Sequence, residues 1–280
     1  MVQTIESHGL NVKLSCELLE MPESSYYEFK KRKVSANQKR REILSEKISE
    51  IYHAVKGIYG APKIHSELLD LGIQVGLKTV QSLMKSQGLR SVVVKKFKPA
   101  QSQSDGVVRE NLVTTEPTAR NQVWSTDITY IWTKGHGWCY LSTIMDRYTK
   151  KIIAWSFSRQ MKAELVLDTL AKAINKEGIP TGIILHSDQG SQYTSYEYEA
   201  KLSEMKISHS FSRKGYPYHN ASLESWHGHL KREWVYQQDF RDFEEAKLGL
   251  FWYIEAFYNK KRKHQALGYL SPEQFEKLMA

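Results

Sequence analysis

Near residue 122 the apolar residues change their spacing, and that change limits what the chain can fold into. Before it they recur at helical intervals between short polar interruptions. After it, residues 123–132, 138–145 and 151–157 are rich in β-branched and aromatic side chains, the mark of strands. The breaks Lys134-Gly135-His136-Gly137 and Arg147-Tyr148-Thr149-Lys150 have hairpin-turn chemistry, so three consecutive antiparallel strands are expected. A helix over 163–177 with Leu165, Val166, Leu170 and Ile174 follows. A buried strand at Ile183-Ile184-Leu185 and a helix near 195–205 complete a mixed α/β body.

The first hundred residues read as helices. Val12, Leu14, Leu18 and Leu19 precede Met21-Pro22-Glu23, and Tyr26, Tyr27 and Phe29 continue on a second short element, giving a helix-turn-helix-like segment over 1–34. A second helical region spans 35–93. A charged helix carries Ile43, Ile48, Ile51 and Tyr52 on one face, and Ile64, Leu68 and Leu69 lie on the next. Beyond the turn Leu71-Gly72-Ile73, a third carries Leu77, Val80, Leu83 and Met84. The opposite face of that last helix presents Lys78, Thr79, Gln81, Ser82 and Lys85, donors suited to a major groove. The same face suits the solvated side of a small bundle, so both readings stand. Lys95, Lys96 and Lys98 lead into a polar Pro-, Ser- and Gly-containing stretch, which makes 94–119 a linker and 120–280 the second body.

Charge follows the same division. Lys and Arg number 40 against 31 Asp and Glu, a formal +9 that points to an anionic partner. Residues 1–100 hold 17 against 10, a net +7, and the other 180 residues only +2. No apolar run reaches the roughly 20 residues of a membrane helix, and the N-terminus lacks signal-peptide character, so a cytoplasmic, nucleoid-associated protein is expected. Cys16 and Cys139 alone make neither a thiolate metal site nor a disulfide framework.

Three carboxylates stand out by position. Asp127 interrupts a strand, where Asp is a poor former. Asp188 follows a strand in His186-Ser187-Asp188-Gln189-Gly190, at the carboxyl end where open α/β sheets place ligands, although Asp before Gly is also ordinary turn chemistry. Glu224 falls early in a helix starting near Asn220 or Ser222, with Leu223, Trp226 and Leu230 facing inward and Glu224, Gly228 and Lys231 on another face. A first-turn Glu equally suits the helix dipole. Between Asp188 and Glu224 lie 35 residues, and Lys231 follows Glu224 by seven.

With that spacing the sequence resembles the insertion-sequence-three family of transposases, in their orfB-type catalytic chain, and more distantly the retroviral integrase core. The resemblance covers about residues 120–275. It rests on Val123-Trp124-Ser125-Thr126-Asp127-Ile128-Thr129-Tyr130-Ile131, on His186-Ser187-Asp188-Gln189-Gly190-Ser191-Gln192-Tyr193, and on Asn220-Ala221-Ser222-Leu223-Glu224-Ser225 with Leu230-Lys231. Tail motifs Tyr258-Asn259, Arg262-Lys263-His264, Leu267-Gly268-Tyr269 and Ser271-Pro272 add to it. Residues near Tyr59-Gly60-Ala61-Pro62-Lys63-Ile64-His65 are similar to the family's helix-turn-helix region. Two departures are His219, where many relatives carry Asp, and the stretch Asn111-Leu112-Val113-Thr114-Thr115-Glu116-Pro117.

The resemblance implies a ribonuclease H-like integrase core, with a mixed five-stranded sheet and flanking helices, preceded by an all-α helix-turn-helix region. It implies that Asp127, Asp188 and Glu224 form an acidic triad holding two Mg²⁺ or Mn²⁺ ions. Hard oxygen ligands suit those ions, and no Cys/His cluster has zinc spacing. The implied activity is cleavage of transposon-end DNA and transfer of its 3′ end to a target. A DNA-binding regulator with an inactive integrase-like domain and a general ribonuclease H-like nuclease are the competing readings. Lys231 is expected on a phosphate. Arg213 and Lys214 are expected in a strand-handling loop, and Lys260, Lys261, Arg262 and Lys263 in a basic tail patch. His186 either supports the site or is a neutral hydrogen-bonded core His. The implied partners are terminal inverted repeats, target DNA, further copies of the chain on DNA, and an upstream-frame product, separate or joined by frameshifting.

Overall fold

The computed structural model describes residues 5, 7, 10–31, 35–93, 110–212 and 220–279. Arg213, Lys214, His219 and most of the expected linker lie outside the described residues. Helices α1 (Val12–Leu18) and α2 (Glu23–Lys31) meet through Cys16, Tyr26 and Ile5. The apolar face expected there is corrected. A helix of seven residues turns only one narrow stripe inward, and Cys16 occupies it, which leaves Leu14, Leu18 and Leu19 exposed, as are Tyr27 and Phe29 on α2.

Helices α3 (Ala36–Ala54), α4 (Ala61–Asp70) and α5 (Leu77–Ser86) form the second helical unit. Ser35 caps α3 by accepting from the Gln38 N–H at 3.1 Å. Leu44 and Ile48 point inward, whereas the expected Ile43 is exposed because it lies about 100° around the helix from Leu44. Ile64 and Leu68 of α4 and Val80, Leu83 and Met84 of α5 complete this interior, while Leu69 and Leu77 face outward. Gly72, at φ +76°, makes the turn between α4 and α5, where a Cβ would be strained.

The sheet contains β1 (Val123–Thr133), β2 (Gly137–Asp146), β3 (Ile152–Ser158), β4 (Ile184–Ser187) and β5 (Ser208–Phe211), in the order β3-β2-β1-β4-β5. The first three are antiparallel, and β4 and β5 run parallel to β1 through the crossover helices α6 (Ala163–Glu177) and α7 (Tyr196–Glu204). Asp146 pins the β2–β3 turn by accepting from the N–H groups of Tyr148 and Thr149 and from the Thr149 hydroxyl. One core, with Trp124, Ile144, Ile153, Val166, Leu170 and Leu185, fills the α6/α7 face.

The other face is covered by α8 (Ala221–Glu233), by α9 (Phe243–Phe251) with its π-helical continuation Trp252–Tyr258, and by α10 (Pro272–Leu278). Its core joins Ile131, Leu141 and Met145 of the sheet to Leu223, Trp226 and Leu230 of α8, to Phe257 and Tyr258, and to Ile48, Tyr59, Ile64 and Leu68 of the helical unit. Residues 35–93 therefore share an interior with the body. Tyr59 lies at this junction, donating to the Lys261 carbonyl at 3.0 Å and accepting from the Lys263 N–H at 2.9 Å.

The tail charges are corrected here. Arg262 and Lys263 are buried, so the expected exposed patch contracts to Lys260 and Lys261. Arg262 forms a two-pronged pair with Glu233 at 2.6 and 2.7 Å, and Lys263 pairs with Asp70 of α4. Fully desolvated charges need such partners. These pairs fasten the end of α8 and the tail to the helical unit.

Candidate active site

Side chains alternate across a strand, so Asp127 shares a face of β1 with Thr129 and Ile131. That face meets α8. Asp127 Oδ1 accepts from the Ile128 N–H at 2.8 Å, and Oδ2 lies 3.4 Å from Nδ1 of His227. His227 Nε2 is 3.3 Å from the hydroxyl of Thr143, which stands opposite Asp127 in the β1–β2 register. The buried imidazole thus spans two strands and fixes the carboxylate against the helix.

Asp188 stands one residue beyond β4, as expected, and its Oδ1 accepts from the Gly190 N–H at 2.9 Å. A Cβ on Gly190 would come within 3.0 Å of that oxygen, so the turn is closed around the carboxylate. Solvent reaches Asp188, but the surrounding protein removes enough of its hydration to push its carboxyl up to about 6. The charge of Asp127 adds to the rise and the Gly190 N–H opposes it. Glu224, exposed in the first turn of α8, is also raised, by partial desolvation and then by Asp127, with His227 acting the other way. Lys231, two turns along the helix, is lowered by burial while Asp127 raises it. Asp188, Glu224 and Lys231 come from a strand end and from two turns of one helix, and all three respond to Asp127.

Among the described residues, no three His, Cys, Asp or Glu side chains lie close enough to hold one ion in common. Asp188 and Glu224 are each raised in part by the charge of Asp127, so the acids are coupled electrostatically through it. Among the described residues no Lys or Arg forms an ion pair with Asp127, Asp188 or Glu224 within 4.0 Å, and His227 is the partner of Asp127. Among the described residues, no ion-paired Lys or Arg offsets the negative charge of these acids.

That charge predicts a stability effect. The folded-state value of Asp188, about 6, lies above the ordinary 3.8, so ionisation costs the fold stability as pH rises between the two, and the cost is complete above 6. In protein stripped of divalent ions, Asp188→Asn should raise Tm at pH 7 by about 2–4 °C, taking about 1 kcal/mol after solvent screening. The gain should vanish below about pH 4. A Tm at pH 7 equal to or below that of the parent would show that Asp188 carries no such load.

Sequence reasoning missed His227, although its place three residues after Glu224 puts it on the same helical face. It also assigned nothing to Tyr193, which is buried with its hydroxyl 3.2 Å from Thr126 Oγ1 behind the site. His186 resolves toward the core reading: fully buried, it bridges Ser210 at 2.9 Å and Ser212 at 3.0 Å and ties β4 to the segment that begins with β5. On α5, Lys78 and Lys85 are exposed and Thr79 is half-buried, far along the chain from the carboxylates.

Residues 117–217 match a family model described as integrase core domain, residues 205–272 match a second of the same description, and residues 39–97 match an HTH-like domain. The chain is 43% identical over 249 residues to the transposase for insertion sequence element IS904 of Lactococcus lactis subsp. lactis (strain IL1403), covering 88% of this chain and 98% of that one. It is 36% identical over 279 residues to transposase InsF for insertion sequence IS3A of Escherichia coli (strain K12), covering 97% and 96%. A solved chain in the simian T-cell lymphotropic virus intasome in complex with PP2A regulatory subunit B56 gamma aligns at a TM-score of 0.47 and 15% identity, over 82% of this chain and 74% of that chain.

Proposed function

Because the chain belongs to the insertion-sequence-three family of transposases, we propose that Asp127, Asp188 and Glu224 are its acidic triad. In this reading it binds the ends of its element, cleaves them to free a DNA 3′-hydroxyl, and joins that hydroxyl to a target phosphate. The observation that carries the reading is the convergence on Asp127 of two further carboxylates and a lysine, with no Lys or Arg among the described residues pairing the acids.

The donor set fits hard divalent cations, Mg²⁺ or Mn²⁺, because all three ligands offer carboxylate oxygens and two of them are raised by desolvation and then by the charge of Asp127. Asp127 with Asp188 would hold one ion and Asp127 with Glu224 the other, in keeping with the coupling of each outer acid to Asp127. Such ions, when bound, activate an attacking oxygen and stabilise the leaving one. The chain's own groups prepare the acids. The Ile128 and Gly190 N–H groups each hold one carboxylate oxygen, and His227 sets the plane of Asp127. Lys231 supplies a point charge for a phosphate beside the reacting bond. Lys78, Thr79 and Lys85 on α5 contact DNA, as do Lys260 and Lys261 on the tail, and Arg213 and Lys214 serve in strand handling. Copies of the chain assemble on the paired ends, and an upstream-frame product, separate or fused, supplies further DNA contacts. Among the described residues no helix is long and apolar enough to cross a membrane.

Purified protein with Mg²⁺ or Mn²⁺ and a duplex carrying the element's terminal repeat should release a 3′ end and yield joined product. Specific binding with no cleavage in either metal would favour a regulator with an inactive core. Degradation without joining or repeat preference would favour a general nuclease.

A further inference from the structure

Beyond the carboxylates, α8 carries a second chemistry on another face. Ser222, Ser225, Trp226, His229, Arg232 and Glu233 recur at three- and four-residue intervals, a stripe that Glu224 and Lys231 do not share. This stripe forms one wall of a cavity of about 810 Å³, whose other walls are the start of α4, the segment at Ser91 and Val93, and the tail. Lys63, Lys150, Arg232, Arg262 and Lys263 line it, with Glu233 as the one carboxylate among the lining residues. Glu233 is already engaged by the fork of Arg262, and Lys63 is 4.0 Å from it. Lys150 reaches only the hydroxyl of Ser222, at 3.1 Å. With Lys263 paired to Asp70 outside the lining, five cations meet two carboxylates, and the cavity keeps a net positive charge.

Two further observations describe the cavity walls. Among the described residues the buried Nε of Arg232 and the indole N–H of Trp226, both on lining residues, have no hydrogen-bond partner, although buried donors normally find one. The imidazoles on the walls report the same field. His229 is pushed down to about 4 by burial and then by Arg262, and burial followed by Arg262 and Lys63 holds His264 near 2. Both rings are neutral there, with two more nitrogen-bearing groups for hydrogen bonding.

We propose that this cavity is a phosphate-binding site that grips the sugar-phosphate backbone of a DNA strand between the helical unit and α8, on the far side of that helix from Glu224. Oxygen-rich, negatively charged and able to accept from several donors at once, a backbone phosphate matches the lining, and the serines at positions 222 and 225 add neutral donors. A strand held there is fixed against the helix that carries Glu224. The inference rests on the reading of the chain as a DNA-processing enzyme, but its test needs no cleavage.

The full chain is titrated, without divalent ions, against a mixed-sequence duplex at several salt concentrations. Lys63→Gln with Arg232→Gln removes two cavity charges while keeping polar side chains. Lys201→Gln with Lys206→Gln, on residues that do not line the cavity, controls for net charge. The cavity pair should make the slope of log affinity against log salt shallower by about 1.8, at about 0.9 per lost phosphate contact, and the control pair should leave it unchanged. The parent slope retained in the cavity pair, with Tm and circular dichroism as in the parent, would overturn the proposal. Inorganic phosphate provides the second arm. Stabilisation of the parent by phosphate, lost in the cavity pair while the DNA slope stays unchanged, would reassign the site to a free anion and also overturn the strand assignment. No DNA binding by the parent would sink the functional reading itself, an outcome distinct from both.

Discussion

Asp127→Asn should reduce end cleavage and strand joining by at least a thousandfold while leaving DNA affinity within about twofold. The substitution keeps the shape of the side chain and the oxygen that accepts from Ile128 N–H, but removes the negative charge on which both proposed ion positions depend. Divalent ions supply several kcal/mol of transition-state stabilisation, and each 1.4 kcal/mol is tenfold in rate. Asp188→Asn and Glu224→Gln should show the same loss, since each would strip one ion position of half its protein ligands. Binding survives because no cation is altered. Gel assays of nicked and joined products, run beside anisotropy titrations of the same preparations, separate the two effects. Joining at near-parent rates in any of the three variants would remove that carboxylate from the triad.

The second large effect concerns stability. Arg262→Ala should cost about 3–5 kcal/mol, because it leaves Glu233 buried opposite an empty space. Both side chains are 4% exposed, and Lys63 at 4.0 Å is too distant to replace two short hydrogen bonds. Tm should fall by about 5–9 °C. The sign of its pH dependence follows from Glu233. Burial alone would raise its carboxyl, yet the Arg262 fork holds it below the ordinary 4.5. The pair's contribution is fully present above 4.5 and is lost as pH falls through the lower folded value, so parent and variant should converge in acid. Replacing both partners with apolar residues should recover much of the loss. A single substitution costing under about 1 kcal/mol would mean that water reaches Glu233.

What the sequence made legible was whatever depends on near neighbours. Strands β1 to β3 and the two turns between them follow from β-branched runs broken by Gly- and Lys-containing turns, and helix α6 from its apolar period. Asp127 drew notice because it offends strand propensity, and Asp188 because it ends a strand. Strand β5, Ser-His-Ser-Phe, carries no β-branched residue and no apolar alternation, so its pairing to β4 is set by the sheet and not by its own composition. The tail misled for a related reason. Five consecutive basic positions look solvated in one dimension, but Lys263 finds Asp70 and Arg262 finds Glu233 only after the chain has returned to its first helices. His227 was hidden in plain view, a histidine whose role appears only once β1 and β2 place Asp127 and Thr143 beside it.

The hydroxyl of Tyr59 bonds to a backbone carbonyl 202 positions later, and this has a temporal consequence. A ribosome makes Tyr59 202 positions before Lys261, so these helices wait through that stretch of synthesis for the surface that completes them. Until residues 257–263 emerge, Tyr59, Ile64 and Leu68 have lost part of their eventual cover, and the nascent chain is at its most vulnerable to association with its neighbours. Final locking is thereby tied to the emergence of residues 257–263, and a chain interrupted before them would present an unfinished helical unit in place of a finished one.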